Sequence, residues 1–294
     1  MSNFCTTSTV SHLYKTYALA DSIAPFGGVL HVLLIDGSPD NTTEIPQNIH
    51  FFSLKNLTDE IGKKIISKYK NKDKLRWALK PVFLTFLLRK YSKVIYADND
   101  IFFFNDFSFL FEKLEKKAVL LTPHFYEASP QKNQNWLEAN FRVGLYNAGF
   151  IGVNSKAIPF LNWWANCCLY NIKKAYWRGL FDDQKYLDLA PVLFDDVEII
   201  KHRGCNLAGW NFTNYPHELA KNNTTLIFIH FAELSLIEFS KPENYWYKSY
   251  IKYVDSLKKY YPNYLFKRKI FNKNTVINYQ YFLIWKFCVF FEKN

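Results

Sequence analysis

No apolar run in this chain reaches the roughly 18 uninterrupted residues that a membrane-crossing helix needs, so none is expected. Its first residues, MSNFCTTSTVSH, hold no basic stretch followed by an apolar one, so no secretory signal is expected either. Cysteine is sparse. The five residues Cys5, Cys167, Cys168, Cys205 and Cys288 are odd in number, two are adjacent, and no spacing suits zinc. That pattern argues against a disulfide framework and for a reducing compartment. Like charges never cluster in a long block, and no aromatic RNA-binding signature is visible. Nucleic acid is therefore not an expected partner, although the net charge is +11. Glycine is absent from Thr6-Thr-Ser-Thr9, where a Gly-rich phosphate loop would follow a first strand.

What is present is enough apolar residue for a sizeable core: 49% of a 294-residue chain. Short strands alternate with helices. Asn3–Thr7 reads as a strand and Val10–Ile23 as a helix with Leu13, Tyr14, Tyr17 and Ala20 on one face. Val29–Ile35 is a nearly continuous apolar run, as in a parallel strand buried on both sides, and Asn48–Leu54 is a further strand. Leu75–Lys90 has helical spacing, with Pro81 marking a kink or a new start. Val94–Tyr96 is the next strand. Further on, Phe109–Lys116 and Ile158–Ile172 read as helices, the latter carrying Trp163 and Trp164 into a core. Ala118–Leu121, Leu145–Val153, Val197–Ile200 and Leu226–His230 read as strands. This order predicts an α/β fold around a mostly parallel sheet, with ligands at the carboxyl ends of the strands. The domain expectation is a catalytic domain over residues 1–245 and a basic, aromatic helical extension over 246–294. Within that extension Lys267-Arg-Lys269 precedes Val276–Phe291, a segment suited to lie in a membrane interface.

The stretch Val94-Ile-Tyr-Ala-Asp-Asn-Asp-Ile-Phe-Phe-Phe104 sets two carboxylates, Asp98 and Asp100, among apolar residues. Buried carboxylates without partners are costly. Either they cap a turn at the strand end, or they hold a cation. Residues i and i+2 of a strand point the same way, so both oxygens can reach one spot. Hard oxygen ligands of this kind suit Mg²⁺ or Mn²⁺.

Here the chain resembles the GT-A fold glycosyltransferases, whose D-x-D motif holds the divalent metal of a nucleotide sugar. It is most similar to the glycogenin and lipopolysaccharide-galactosyltransferase (family 8-like) group and related bacterial capsule or lipopolysaccharide transferases. The likeness lies in Leu79-Lys80-Pro81 through Tyr91–Asp98, in Phe104–Phe111, in Tyr146-Asn-Ala-Gly-Phe-Ile-Gly-Val-Asn154, in Phe181-Asp-Asp-Gln184 and in Ile227-Phe-Ile-His230. These segments come in the family's order and span roughly residues 3 to 242. The chain departs from the pattern after His230: no Gly precedes Lys241-Pro242, and the next Trp is Trp246.

The resemblance implies a Rossmann-like GT-A fold and transfer of a sugar, from a UDP-sugar first, to a glycan or lipid-linked acceptor in surface polysaccharide synthesis. It implies Asp98, Asp100 and His230 as ligands of Mn²⁺ or Mg²⁺. It implies Lys80 and Lys241 on donor sugar or phosphate, and Asn147, Ala148 and Gly149 close to the sugar. Thr6 and Asp36 would hold the nucleoside, with Tyr14 as a ring for the base. Asp183 and Gln184 would sit under the donor sugar, and Asn211 would face the acceptor. It favours retention of configuration; were the reaction inverting, Asp183 would be the base. A cytoplasmic protein, peripheral on a membrane, is expected. The rivals are another metal-dependent nucleotide enzyme, such as a nucleotidyltransferase, and a non-enzymatic basic binder of membranes or nucleic acid.

Overall fold

A computed structural model describes residues 2–39, 44–214 and 225–266. The strands are β1 (Ser2–Ser8), β2 (Gly28–Leu34), β3 (Ile49–Ser53), β4 (Lys93–Ala97), β5 (Ile101–Phe103), β6 (Val119–Pro123), β7 (Tyr146–Asn154), β8 (Val197–Ile199) and β9 (Phe228–His230). Seven of them form one sheet in the order β3-β2-β1-β4-β7-β6-β8. β7 runs antiparallel to both neighbours, and the other pairings are parallel. The expected mostly parallel α/β sheet is therefore the fold. β5 and β9 make a separate two-stranded antiparallel ribbon.

Alternation along the strands divides the core in two. Phe4, Ile95 and Phe150 point to one side of the sheet, and Cys5, Tyr96 and Ile151 point to the other. On the first side lies α1 (Leu13–Ile23), with Phe103, Phe107 and Phe111 set edge-on against Phe4 at 4.7 to 5.4 Å. Such pairs each add about 0.5–1.5 kcal/mol beyond their burial. On the second side lie α2 (Glu60–Lys68), α3 (Lys72–Ala78) and α4 (Lys80–Leu88), joined later in the chain by α7. The result is three layers, helix–sheet–helix. The remaining helices are α5 (Ser108–Lys116), α6 (Gln134–Arg142), α7 (Ile158–Tyr170), α8 (Ala190–Leu193), α9 (Glu233–Phe239) and α10 (Tyr247–Tyr260).

Pro81 is a restart rather than a kink: α3 ends at Ala78 and α4 begins at Lys80. Proline suits the first turn of a helix because its missing N–H would have no acceptor there. This break turns Lys80 into the sheet end. Trp164 is wholly buried, and Trp163 packs at the edge of the same cluster. α10 lies on α1: Tyr260 meets Tyr17 edge-on at 5.1 Å, and Lys259 pairs with Asp21 at 2.8 Å. The compact unit carrying all these elements ends at Tyr264. Val276–Phe291 lies outside the described residues. Among the described residues no helix is long and apolar enough to cross a membrane.

Candidate active site

Asp98 and Asp100 sit just beyond β4, not on it. The chain reverses there: the Ile101 N–H donates to the Asp98 carbonyl at 3.0 Å, and β5 then departs. The strand alternation argument thus stops one residue short, and a turn brings the two carboxylates together instead. The turn that they flank is what aims them. β5 pairs with β9 so that Ile101 lies opposite His230, and the Phe231 N–H donates to the Asp100 carbonyl at 2.7 Å. The ribbon therefore delivers His230 to Asp100, with Nε2 3.0 Å from Oδ1. One ligand atom from each of Asp98, Asp100 and His230 fits within 4.8 Å of the others. Gly149 on β7 makes room for them. A Cβ there would lie 2.7 Å from Asp98 Oδ2 and 2.8 Å from His230 Cε1.

A chain of amides fixes the His230 ring. The Gly149 N–H donates to Asn147 Oδ1 at 2.7 Å, so the Asn147 nitrogen faces the other way. That nitrogen lies 2.9 Å from Asn206 Oδ1 and 2.9 Å from His230 Nδ1. Asn206 is oriented from its far end, where Nδ2 donates to the Pro123 carbonyl at 2.9 Å. A backbone donor and a backbone acceptor thus set both amides. His230 Nδ1 must accept, and the ring proton lies on Nε2, facing Asp100. Burial opposes a charged His230 and Asp100 favours one, with a net upward push. An imidazolium would set N–H against N–H at Asn147, so the neutral ring is the form that the hydrogen bonds allow. Burial raises the Asp100 pKa, but His230 outweighs it and holds the carboxyl well below the usual range. Ser235 Oγ donates to the His230 carbonyl at 2.7 Å, and Trp210 meets the ring edge-on at 5.5 Å.

Lys80 is 2% exposed. Its ammonium lies 3.1 Å from the Ala148 carbonyl, 3.3 Å from Asp98 Oδ1 and 3.2 Å from Asp183 Oδ2. The Ala148 carbonyl accepts a hydrogen bond, and the two carboxylates are ion-pair partners. Lys80, expected on a donor sugar or phosphate, here binds the two carboxylates to each other. Burial works against its charge, but Asp183 and Asp98 more than restore it. Burial also pushes the Asp183 carboxyl up to about 6, with Lys80 opposing and Asp98 assisting. Asp183 is held from behind as well, because Trp164 Nε1 donates to its carbonyl at 2.9 Å. Its neighbour Asp182 has φ 47°, in the left-handed region that few residues other than glycine adopt. Gln184 Nε2 donates to the Val143 carbonyl at 3.2 Å.

Other expected residues lie apart from this corner. Thr6 is sealed inside β1, and its hydroxyl has no partner. Asp36, beyond β2, accepts from the Val10 N–H at 2.9 Å and pairs with Lys72. Tyr14 stacks loosely on Tyr261 and Tyr264, 5.4 and 5.7 Å away. With Val10, Ser11, Tyr17 and Tyr260 it lines a cavity of about 440 Å³. Lys241 pairs with Glu238 at 2.6 Å. Asn211 is buried and braces a loop by donating to the carbonyls of His124 and Asn206.

The sequence reading missed Tyr96, Asn206 and Arg76. The Tyr96 hydroxyl donates to Asp98 Oδ1 at 2.9 Å and also meets Thr7 Oγ1 at 3.0 Å. It was findable, being two residues before Asp98 at the end of β4. Asn206 has φ 63° in an irregular loop and leaves no periodic signal. Arg76 lies close enough to stabilise both acids.

Two carboxylates, one imidazole and a glycine-made hollow fit a divalent cation of the Mg²⁺ or Mn²⁺ kind. His230 can join such a shell only with Nε2 free of its proton.

No family model matches the chain. YfnF of Bacillus subtilis (strain 168), an uncharacterized protein, is 27% identical over 264 residues, covering 82% of this chain and 84% of YfnF. Among solved structures, the galactosyltransferase LgtC, in complex with donor and acceptor sugar analogs, superposes with a TM-score of 0.53. It is 14% identical, over 90% of this chain and 98% of LgtC. The bifunctional glycosyltransferase WbbM gives the same score and identity over 87% of this chain, which spans 49% of WbbM. At that identity the likeness is one of fold, and the chain has the GT-A glycosyltransferase fold.

Proposed function

We propose that this protein is a metal-dependent glycosyltransferase. It takes a sugar from a nucleoside diphosphate, UDP first, and passes it to a glycan or lipid-linked acceptor in bacterial surface polysaccharide synthesis, from the cytoplasm. The observation that carries this reading is the convergence of Asp98, Asp100 and His230 at the carboxyl end of a central strand, in a fold shared with LgtC.

A divalent cation held there neutralises charge on the diphosphate leaving group. The protein's own part is to keep the acids aimed before the donor arrives. Lys80 and Tyr96 bind Asp98, and the β5–β9 ribbon holds Asp100 beside His230. Asp183 and Gln184 take sugar hydroxyls, and the chain of Asn147, Ala148 and Gly149 lets the sugar approach the sheet end. Asp36, Tyr14 and the cavity beside Tyr14 receive the nucleoside. A rival nucleotidyltransferase would want a glycine-rich loop after β1, and Thr6–Thr9 contains none.

The test is release of UDP from a panel of UDP-sugars with Mn²⁺, Mg²⁺ or chelator. Turnover should need metal and fall to background in Asp98→Asn and Asp100→Asn. Metal-independent release, or full activity in either variant, would refute the reading.

A further inference from the structure

Just ahead of Asp182-Asp183 the chain makes a small hairpin. Ala175 and Leu180 exchange backbone hydrogen bonds at 2.9 and 3.2 Å, and Gly179 turns the corner with φ 64°. The tip and the adjoining end of α7 expose large rings: Trp177 is 83% exposed, Tyr176 48% and Tyr170 62%. A tryptophan so exposed forfeits about 1.5–3 kcal/mol of burial, the sum that a large apolar side chain gains when covered. Among the described residues nothing covers that ring.

Cations stand one step behind the rings. Arg178 donates to the Tyr170 hydroxyl at 2.9 Å and lies 5.8 Å from the Trp177 ring centre. Lys173 is exposed at the hairpin base. Lys68, from α2, donates to the Tyr170 carbonyl at 2.9 Å. Lys174 pairs with Asp182 at 3.5 Å, and Lys74 also stabilises that carboxylate. Asp182 is thus opposed by Lys174 and Lys74, which leaves the collar strongly positive.

Rings at the outer end with lysine and arginine just behind match the layering of a bilayer surface. Indole and phenol rings settle at the headgroup level, and cations meet lipid phosphates. A sugar-stacking platform fits less well, because the collar behind the rings is cationic, and a neutral sugar gains nothing from that charge. A protein interface would need a broader apolar face than a hairpin tip.

We propose that the hairpin from Tyr170 to Gly179 is an anchor for anionic bilayers. It leads directly into Asp182-Asp183, so docking would hold the acidic corner close to the headgroups. The inference rests on the surface alone and not on the reaction assigned above.

The test is flotation of the full chain with phosphatidylcholine vesicles, and with vesicles containing phosphatidylglycerol. Wild type should float with the anionic vesicles only. Lys173→Ala and Arg178→Ala should each weaken binding roughly fivefold, from about 1 kcal/mol per cation. Trp177→Ala should add to that, and thermal midpoints should not move, since these side chains lie at the surface. Brominated lipid should quench indole emission in wild type and less in Trp177→Phe, which separates the hairpin from any other membrane contact. Binding untouched by the triple variant, quenching equal in Trp177→Phe, or equal flotation with neutral vesicles would overturn the proposal. So would loss of soluble-glycan binding, rather than vesicle binding, in the triple variant.

Discussion

The acidic corner and the region of Asp36 and Tyr14 are built differently. At the acidic corner every charged group is held by others far away in sequence. Lys80 joins Asp98, Ala148 and Asp183, and His230 joins Asp100 and Asn147. Around Asp36 and Tyr14 the contacts are few: Asp36 holds a backbone N–H and an exposed lysine, and Tyr14 lies beside a cavity. The contrast teaches that the corner is shaped in advance of its ligand, as charge stabilisation demands.

The largest blow to this contrast should come from Lys80→Met. It strips Asp98 and Asp183 of their shared cation in a buried setting, where breaking such a pair costs about 3–5 kcal/mol. Urea unfolding should show that loss; a cost near zero would mean that the corner is not pre-shaped by this lysine. Gly149→Ala comes next. Its Cβ would press on Asp98 and His230, and overpacking of this sort costs about 1–3 kcal/mol. Metal affinity should fall with stability, read by calorimetry.

Acid should loosen the other half first. His31, on the strand leading to Asp36, is buried against His50 and near Lys90, and burial above all lowers its pKa to about 4. It is neutral when folded, whereas the unfolded chain takes up a proton near 6.5. The resulting stability is complete above pH 6.5 and is lost as pH falls toward 4, by up to about 1.4 kcal/mol per unit. His31→Phe should flatten that slope in pH-dependent unfolding. The smallest change is Asn147→Asp. A carboxylate would accept from Nδ1–H and free Nε2, as in carboxylate–histidine–metal arrangements. Mn²⁺ should bind about tenfold tighter, within the range of such second partners, and nitrogen-15 spectra should show the ring proton move from Nε2 to Nδ1.

How much of this was legible depended on the kind of signal. Val29–Ile35 differs by one residue from the observed strand because burial on both faces writes itself as a continuous apolar run. The acids stood out because they interrupt such a run. Their geometry did not, since a turn rather than strand alternation joins them. Lys80 was found as a residue but not as the cation between Asp98 and Asp183, because its three partners come from separate segments. Asn206 belongs to no periodic pattern, and Arg76, although on a helix, reaches the acids only through the fold. The β5–β9 ribbon, which brings His230 to Asp100, is a pairing of segments more than a hundred residues apart, and no local pattern encodes it.

The most direct measurement is calorimetric titration with UDP, with and without Mn²⁺, of the wild-type chain and of Asp98→Ala/Asp100→Ala. The account predicts UDP binding that needs Mn²⁺ and vanishes in the double variant while the fold persists. UDP bound equally well without metal, or equally by the double variant, would contradict it.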